Sequence, residues 1–123
     1  MARFLILDDD EDFGSIVEMI LQMEGHDTAV LKRSEDAAAA QRSRPADVLI
    51  TDIFMPDQDG LETIQQFRRE FPGVKIIAMS GGGDTLRNVS YLFSAQELGA
   101  VQVIRKPFER DALLAVVREV LAR

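Results

Sequence analysis

The chain of 123 residues has no cysteine. That excludes a disulfide framework and any thiolate metal site. It suits a reducing compartment, so a cytoplasmic location is expected. Basic residues are scarce too: 14 Lys and Arg stand against 21 Asp and Glu, a formal net charge of -7. Nucleic acid binding relies on cations that neutralise phosphates, and this composition argues against it. An anionic membrane surface is disfavoured for the same reason. Long apolar runs are missing as well. Phe4 to Leu7 is too short for a signal peptide, and acids follow at once. No segment approaches the roughly 20 residues of a membrane span. Histidine occurs once, as His26, just past a predicted helix end, where an exposed loop residue is expected.

What is present is an ordinary globular composition, 46% apolar and 28% charged, enough for one domain with one core. Arg3 to Leu7 reads as a first strand. The acids at 8 to 12 favour the start of a helix, with Phe13, Ile16, Val17 and Ile20 at helical spacing and Gly25 as its stop. Thr28 to Leu31 reads as a second strand, and Ser34 as the N-cap of an alanine-rich helix to about Ser43. Asp47 to Thr51, built on Val48-Leu49-Ile50, reads as a central buried strand. Asp59-Gly60-Leu61-Glu62 has the spacing of a capping box, opening a helix with Leu61, Ile64, Phe67 and Phe71 on its apolar side. Val74 to Met79 and Val101 to Ile104 complete the strands. Helices over about Thr85 to Leu98 and Glu109 to Ala122 complete the pattern, the last with Leu113, Val116, Val117, Val120 and Leu121 on one side. The five methionines are expected to fill the core. Such alternation implies an α/β fold, a five-stranded parallel sheet with helices on both faces and right-handed crossovers. Residues 1–123 thus form a single predicted domain, with nothing left over for an output domain.

The strand ends carry the chemistry. Asp8 and Asp9 follow the first strand, Asp52 the third, Ser80 the fourth and Lys106 the fifth. In a parallel sheet all of them lie on one edge, where open α/β sheets bind ligands. Three carboxylates there repel: a like pair about 4 Å apart costs about 4 kcal/mol at an effective dielectric near 20. A cation or a proton must offset this. An all-oxygen set suits a hard ion, and an open group of a few carboxylates suits Mg2+. Lys106 supplies a second positive charge and Ser80 a hydroxyl donor. Together they describe a phosphoryl acceptor site, in which Asp52 attacks phosphorus in line and the cations neutralise the equatorial oxygens. The product is an aspartyl phosphate.

The motifs Leu7-Asp8-Asp9, Asp52 with Met55-Pro56 and Asp59-Gly60, Ala78-Met79-Ser80-Gly81 and Lys106-Pro107-Phe108 resemble, in this order, those of the response-regulator receiver domain. That domain is the phosphorylated partner in two-component signalling, and the likeness to a stand-alone, chemotaxis-regulator-like receiver covers essentially the whole chain. The resemblance implies a flavodoxin-like doubly wound (βα)5 sandwich with strand order 2-1-3-4-5. It implies Asp52 as phosphoacceptor and Asp9 as the direct Mg2+ ligand, with Asp8 assisting and the main-chain carbonyl of Phe54 as a further ligand. Ser80 is implied as the hydroxyl that turns to the phosphoryl group. Lys106 is implied as the lysine that pairs with it, its bond to Pro107 cis. The implied donor is a phosphohistidine on a sensor histidine kinase or histidine phosphotransfer protein. The implied output is a downstream protein target reached by a population shift, or onward relay. Such a protein is a signalling protein rather than an enzyme. It assists its own phosphorylation and slow dephosphorylation, and is monomeric or dimerises on phosphorylation.

The chain departs from the family at Val103, where an aromatic residue often sits three before the lysine. Ser80 and the glycines at 81 to 83 then carry the loop movement, with Tyr91 or Phe93 as its reporters. Phe54 and Gly82 match positions that tune phosphoryl lifetime, and an apolar shield beside an absent side chain implies slow hydrolysis. Asp8-x-Asp10 also fits the opening motif of a Mg2+-dependent haloacid-dehalogenase-type phosphatase, with Asp8 as nucleophile and Asp52 dispensable. The chain leaves no room for that family's cap. A pseudo-receiver that works as an unphosphorylated scaffold is the third alternative, against which the complete set of Asp8, Asp9, Asp52, Ser80 and Lys106 argues. The glycine loop after Ser80 lacks a Gly-Lys-Ser/Thr ending, so nucleotide binding is not expected.

Overall fold

Strands that are apolar on both sides need a cover on both faces, and the central run Val48-Leu49-Ile50 receives one. The computed structural model describes residues 1–55, 58–81 and 93–123. In chain order they form β1 (Arg3–Leu7), α1 (Glu11–Met23), β2 (Asp27–Leu31), α2 (Ser34–Ser43), β3 (Val48–Asp52), β4 (Phe54–Met55) and β5 (Gln58–Asp59). Then come α3 (Gly60–Glu70), β6 (Lys75–Ser80), α4 (residues 93–98), β7 (Gln102–Arg105) and α5 (Arg110–Leu121). Among the described residues β2-β1-β3-β6-β7 make one sheet with every pair parallel. Counted along the chain, that is the flavodoxin-like order 2-1-3-4-5. β4 and β5 pair apart from it as a short antiparallel ladder.

Side chains alternate across the sheet. Phe4, Ile6, Val48, Ile50, Ile77, Met79 and Ile104 pack with Val17 and Leu21 of α1 and Leu113, Val117 and Val120 of α5. Leu5, Leu7, Leu49, Ile76 and Ala78 pack on the other face with Ala37 and Ala38 of α2, Ile64 and Phe67 of α3, and Ala95 of α4. β3 is buried at every position. β3, β6 and β7 run slightly later than the apolar runs suggest, so Asp52 and Ser80 are the last residues of β3 and β6. Both are held by the sheet and not by a loop. No helix among the described residues is long and apolar enough to cross a membrane.

Several local expectations need correction. Ser34 is not the N-cap of α2. Arg33 holds that place without a side-chain cap bond, and the Ser34 hydroxyl instead shares a 2.6 Å hydrogen bond with Thr63 of α3. A partner on a neighbouring helix has outcompeted the local cap. The methionines divide: Met55 and Met79 are buried, whereas Met1, Met19 and Met23 are exposed. α1 is apolar on two sides. Val17 and Leu21 face the core, while Ile16, Met19 and Met23 are 50%, 55% and 69% exposed. His26 is half-buried, its Nδ1 accepting from the Ala2 amide at 3.3 Å and its ring 4.9 Å from Phe4. Pro56, Asp57, Gly82, Gly83, Tyr91 and most of the helix predicted from Thr85 lie outside the described residues, as does the Asp59 side chain of the predicted capping box.

Two glycines fix the frame. Gly25, at φ 88°, ends α1 in a conformation that side chains resist. Gly60 opens α3 directly against the backbone that carries Asp52. A Cβ there would fall on the Ile53 Cα and lie 2.8 Å from the Asp52 carbonyl oxygen. Gly60→Ala is therefore expected to lower unfolding stability by about 2–3 kcal/mol through overpacking. Urea denaturation should show a lower midpoint at unchanged slope; an unchanged midpoint would mean that the Ile53 backbone yields without cost.

Candidate functional site

Three charged residues continue one side of the sheet's alternation. Asp8 extends Phe4 and Ile6, Asp52 extends Val48 and Ile50, and Lys106 extends Ile104, all from the face packed on α1 and α5. Period two thus carries their side chains to one place at the carboxyl edge. There the Lys106 Nζ donates to Asp8 Oδ2 at 2.6 Å and to Asp52 Oδ2 at 3.0 Å. Asp8 is fully buried, Asp52 is 4% exposed, and Asp9 lies open to solvent.

Each buried acid also takes a backbone donor from just beyond its own strand. Asp8 Oδ1 accepts from the Asp10 amide and Asp52 Oδ1 from the Phe54 amide, both at 2.9 Å. Phe54 thus meets Asp52 through its N–H, a bond separate from the metal-ligand role expected of its carbonyl. Asp10 caps α1, its side chain accepting from the Phe13 amide at 3.1 Å. Ser80 is bound in by its carbonyl, which accepts from the Lys106 amide at 2.7 Å. Its hydroxyl is buried and has no hydrogen-bond partner among the described residues. The Lys106–Pro107 bond is cis.

The charges do not balance. Burial pushes the Asp52 carboxyl above the usual range, against the Phe54 amide and Lys106, and the nearby Asp8 adds to the rise. Burial opposes charge on Lys106 too, but the hydrogen bond to Asp8 and the pull of Asp52 outweigh it and hold the ammonium above its ordinary value. One ammonium facing three carboxylates leaves a surplus of negative charge among the described residues. Oxygens of Asp8, Asp9 and Asp52 lie within 4.8 Å of one another. Two ligands on opposite sides of a Mg2+ ion stand about 4.2 Å apart, so the cluster needs only slight tightening to hold one. The acids and the orphaned Ser80 hydroxyl fit a hard cation with an oxyanion beside it.

Asp8, Asp9, Asp52 and Lys106 come together at this edge, Phe54 touches Asp52 through its amide, and Ser80 ends the adjacent strand β6. Val103 lies on β7, half-buried and level with Ala78, and Phe93 on α4 is 63% exposed.

The response regulator receiver domain family model matches residues 4–118. The DNA-binding response regulator MtrA of Mycolicibacterium paratuberculosis is 33% identical over 121 residues, which is 98% of this chain and 52% of MtrA. The transcriptional regulatory protein CpxR of Klebsiella pneumoniae is 32% identical over 123 residues, 100% of this chain and 50% of CpxR. The chain spans about half the length of these curated relatives. The crystal structure of the receiver domain of NtrX from Brucella abortus superposes with a TM-score of 0.89 at 30% identity, covering 97% of this chain and 98% of that one.

The surplus charge has a measurable consequence. A raised Asp52 value means that the folded state binds a proton more tightly than the unfolded chain does. That stability is present below the unfolded value and lost as pH rises through the folded one. Near neutral pH without divalent ions, Asp52→Asn is expected to stabilise the fold by about 1–2 kcal/mol, less than one like-charge contact in this setting. The gain should vanish on titration into acid. Thermal unfolding of both forms across pH measures it, and a lower midpoint for the variant at neutral pH would show that Lys106 already compensates.

Proposed function

From the membership of this chain in the response regulator receiver domain family, we propose that Asp52 accepts a phosphoryl group and that the chain thereby changes its affinity for a protein partner or passes the group on. The observation that carries this is the meeting of Asp8, Asp52 and Lys106 at 2.6 and 3.0 Å, with an unpartnered Ser80 hydroxyl at the end of the neighbouring strand β6. A carboxylate oxygen of Asp52 bonds to phosphorus as the P–N bond to the donor histidine breaks, and the bonding pair stays on the imidazole nitrogen. Lys106 exchanges a carboxylate for a phosphoryl oxygen and neutralises charge there. Ser80 donates its hydroxyl hydrogen to another phosphoryl oxygen. Asp8, Asp9, Asp52 and the Phe54 carbonyl are the groups that would hold Mg2+. The ion, when bound, supplies positive charge at the equatorial oxygens.

The donor is a phosphohistidine of a sensor histidine kinase or a histidine phosphotransfer protein, and the acidic chain itself makes no nucleic acid contact. MtrA is named as a DNA-binding response regulator, and a part like that, where present, would receive the signal. The phosphatase alternative, with Asp8 as nucleophile, leaves Asp52 dispensable, whereas Asp52 shares the Lys106 ammonium with Asp8.

Acetyl phosphate with Mg2+, read by intact mass, is expected to add one phosphoryl group to the wild type and none to Asp52→Asn. A gain kept in Asp52→Asn but lost in Asp8→Asn would indicate the phosphatase, and no gain in any form would indicate a scaffold. Half-buried Phe54 flanks Asp52, so the radiolabelled product is expected to decay over minutes or longer. A half-life of seconds would refute that shielding.

A further inference from the structure

Lys106 has a third neighbour that neither its charge partners nor the strand-end motifs account for. Its Nζ lies over the Phe13 ring, 4.2 Å from the centroid. Phe13 stands in the first turn of α1, three residues after the capping Asp10. The edge of Phe108 steadies it, ring centroids 5.3 Å apart and planes at 82°. An ammonium carries three N–H donors and accepts nothing. Asp8 and Asp52 take two of them, and the negative face of the ring is the third electron-rich surface beside it. The Lys106 side chain is 13% exposed, so water dilutes this attraction little. Packing alone would explain an apolar residue at this place; it does not require a ring face turned to a cation.

We propose that Phe13 is a positioning residue for Lys106. Its ring face holds the ammonium between Asp8 and Asp52, and keeps it there when a phosphoryl oxygen replaces a carboxylate as partner. The second half rests on the phosphoacceptor reading above; the first does not. α1 thus does two things at the site: its cap fixes Asp10, and its first turn fixes the lysine delivered from the far end of the chain.

Three forms of the full chain test this: wild type, Phe13→Leu, which keeps apolar bulk without a ring, and Phe13→Tyr, which restores the ring. Two quantities are read. One is the nitrogen-resolved NMR signal of the Lys106 ammonium with no phosphoryl donor present. The other is the rate of phosphoryl uptake from acetyl phosphate with Mg2+. The ammonium signal is expected to be sharp in wild type and Phe13→Tyr and to be lost to water exchange in Phe13→Leu. Uptake is expected to slow about threefold to tenfold in Phe13→Leu, the scale of a partly desolvated cation–π contact, and to recover in Phe13→Tyr. A signal or a rate in Phe13→Leu equal to wild type overturns the proposal, as does equal loss in Leu and Tyr. Should the wild type take up no phosphoryl group, the phosphoacceptor reading fails by itself, and the ammonium signal alone decides for or against Phe13. If Phe13→Leu does not fold, trifluorophenylalanine at position 13 keeps the ring's shape, removes its negative face, and is judged by the same two measurements.

Discussion

One ammonium shared by two buried carboxylates organises this molecule. Lys106 reaches Asp8 across 98 residues and Asp52 across 54, so the contact closes only after β1, β3, β6 and β7 have found their parallel register. Removing the lysine would leave two buried carboxylates without a cation, the kind of loss that typically costs about 3–5 kcal/mol, whereas removing one acid leaves the ammonium still paired with the other. Yet the pair does not make the edge comfortable. Desolvation holds Asp52 above its ordinary range even with Lys106 at hydrogen-bond distance. The folded chain therefore keeps a place whose electrostatics improve when more positive charge arrives. Stability and readiness to bind are opposed here, and the sheet supplies the rigidity that lets the opposition persist.

That rigidity is built from plain parts. β3 has no exposed residue and lies between β1 and β6. Gly60 lets α3 start in contact with the Ile53 backbone, directly after Asp52. Asp10 and Phe54 each lend an amide to the acid two residues before them. These donors are local and short-range, whereas Lys106 is long-range. Each buried carboxylate is thus held once by its own loop and once by the far end of the chain. The first contact sets its rotamer and the second sets its charge environment.

The elements were legible because their signals are local. Apolar runs ending in an acid or a hydroxyl marked β1, β3 and β6, and the strand ends gave the site by topology alone. What could not be read depended on partners distant in sequence. Ser34 has the chemistry of a cap, but the Thr63 hydroxyl arrives from another helix. Met19 and Met23 belong to an apolar run, but α1 offers two apolar sides and only packing chooses between them. Arg68 is a long cation on α3, yet its Nε and Nη2 are buried without a hydrogen-bond partner among the described residues, and desolvation lowers its pKa. Phe13 had a signal, an aromatic in the first turn after the acids. Reading it needed the knowledge that β7 and β1 deliver their ends to the same face.

The departure at Val103 can be set against the geometry of Ser80. A branched side chain, half-buried and level with Ala78, has no ring to swing between inner and outer positions. Any coupling of the site to the α4 side must then draw on another source of free energy. The Ser80 hydroxyl is one: buried, at the end of β6, and without an acceptor among the described residues. An orphaned polar group of this kind costs about 1–3 kcal/mol. An oxyanion at Asp52 would relieve that cost in whichever backbone state brings the hydroxyl to it, and in no other. A differential of that size shifts a two-state equilibrium by roughly 5- to 150-fold. This is sufficient for a graded switch, and it needs the strand end and the loop after it to move, but not the core.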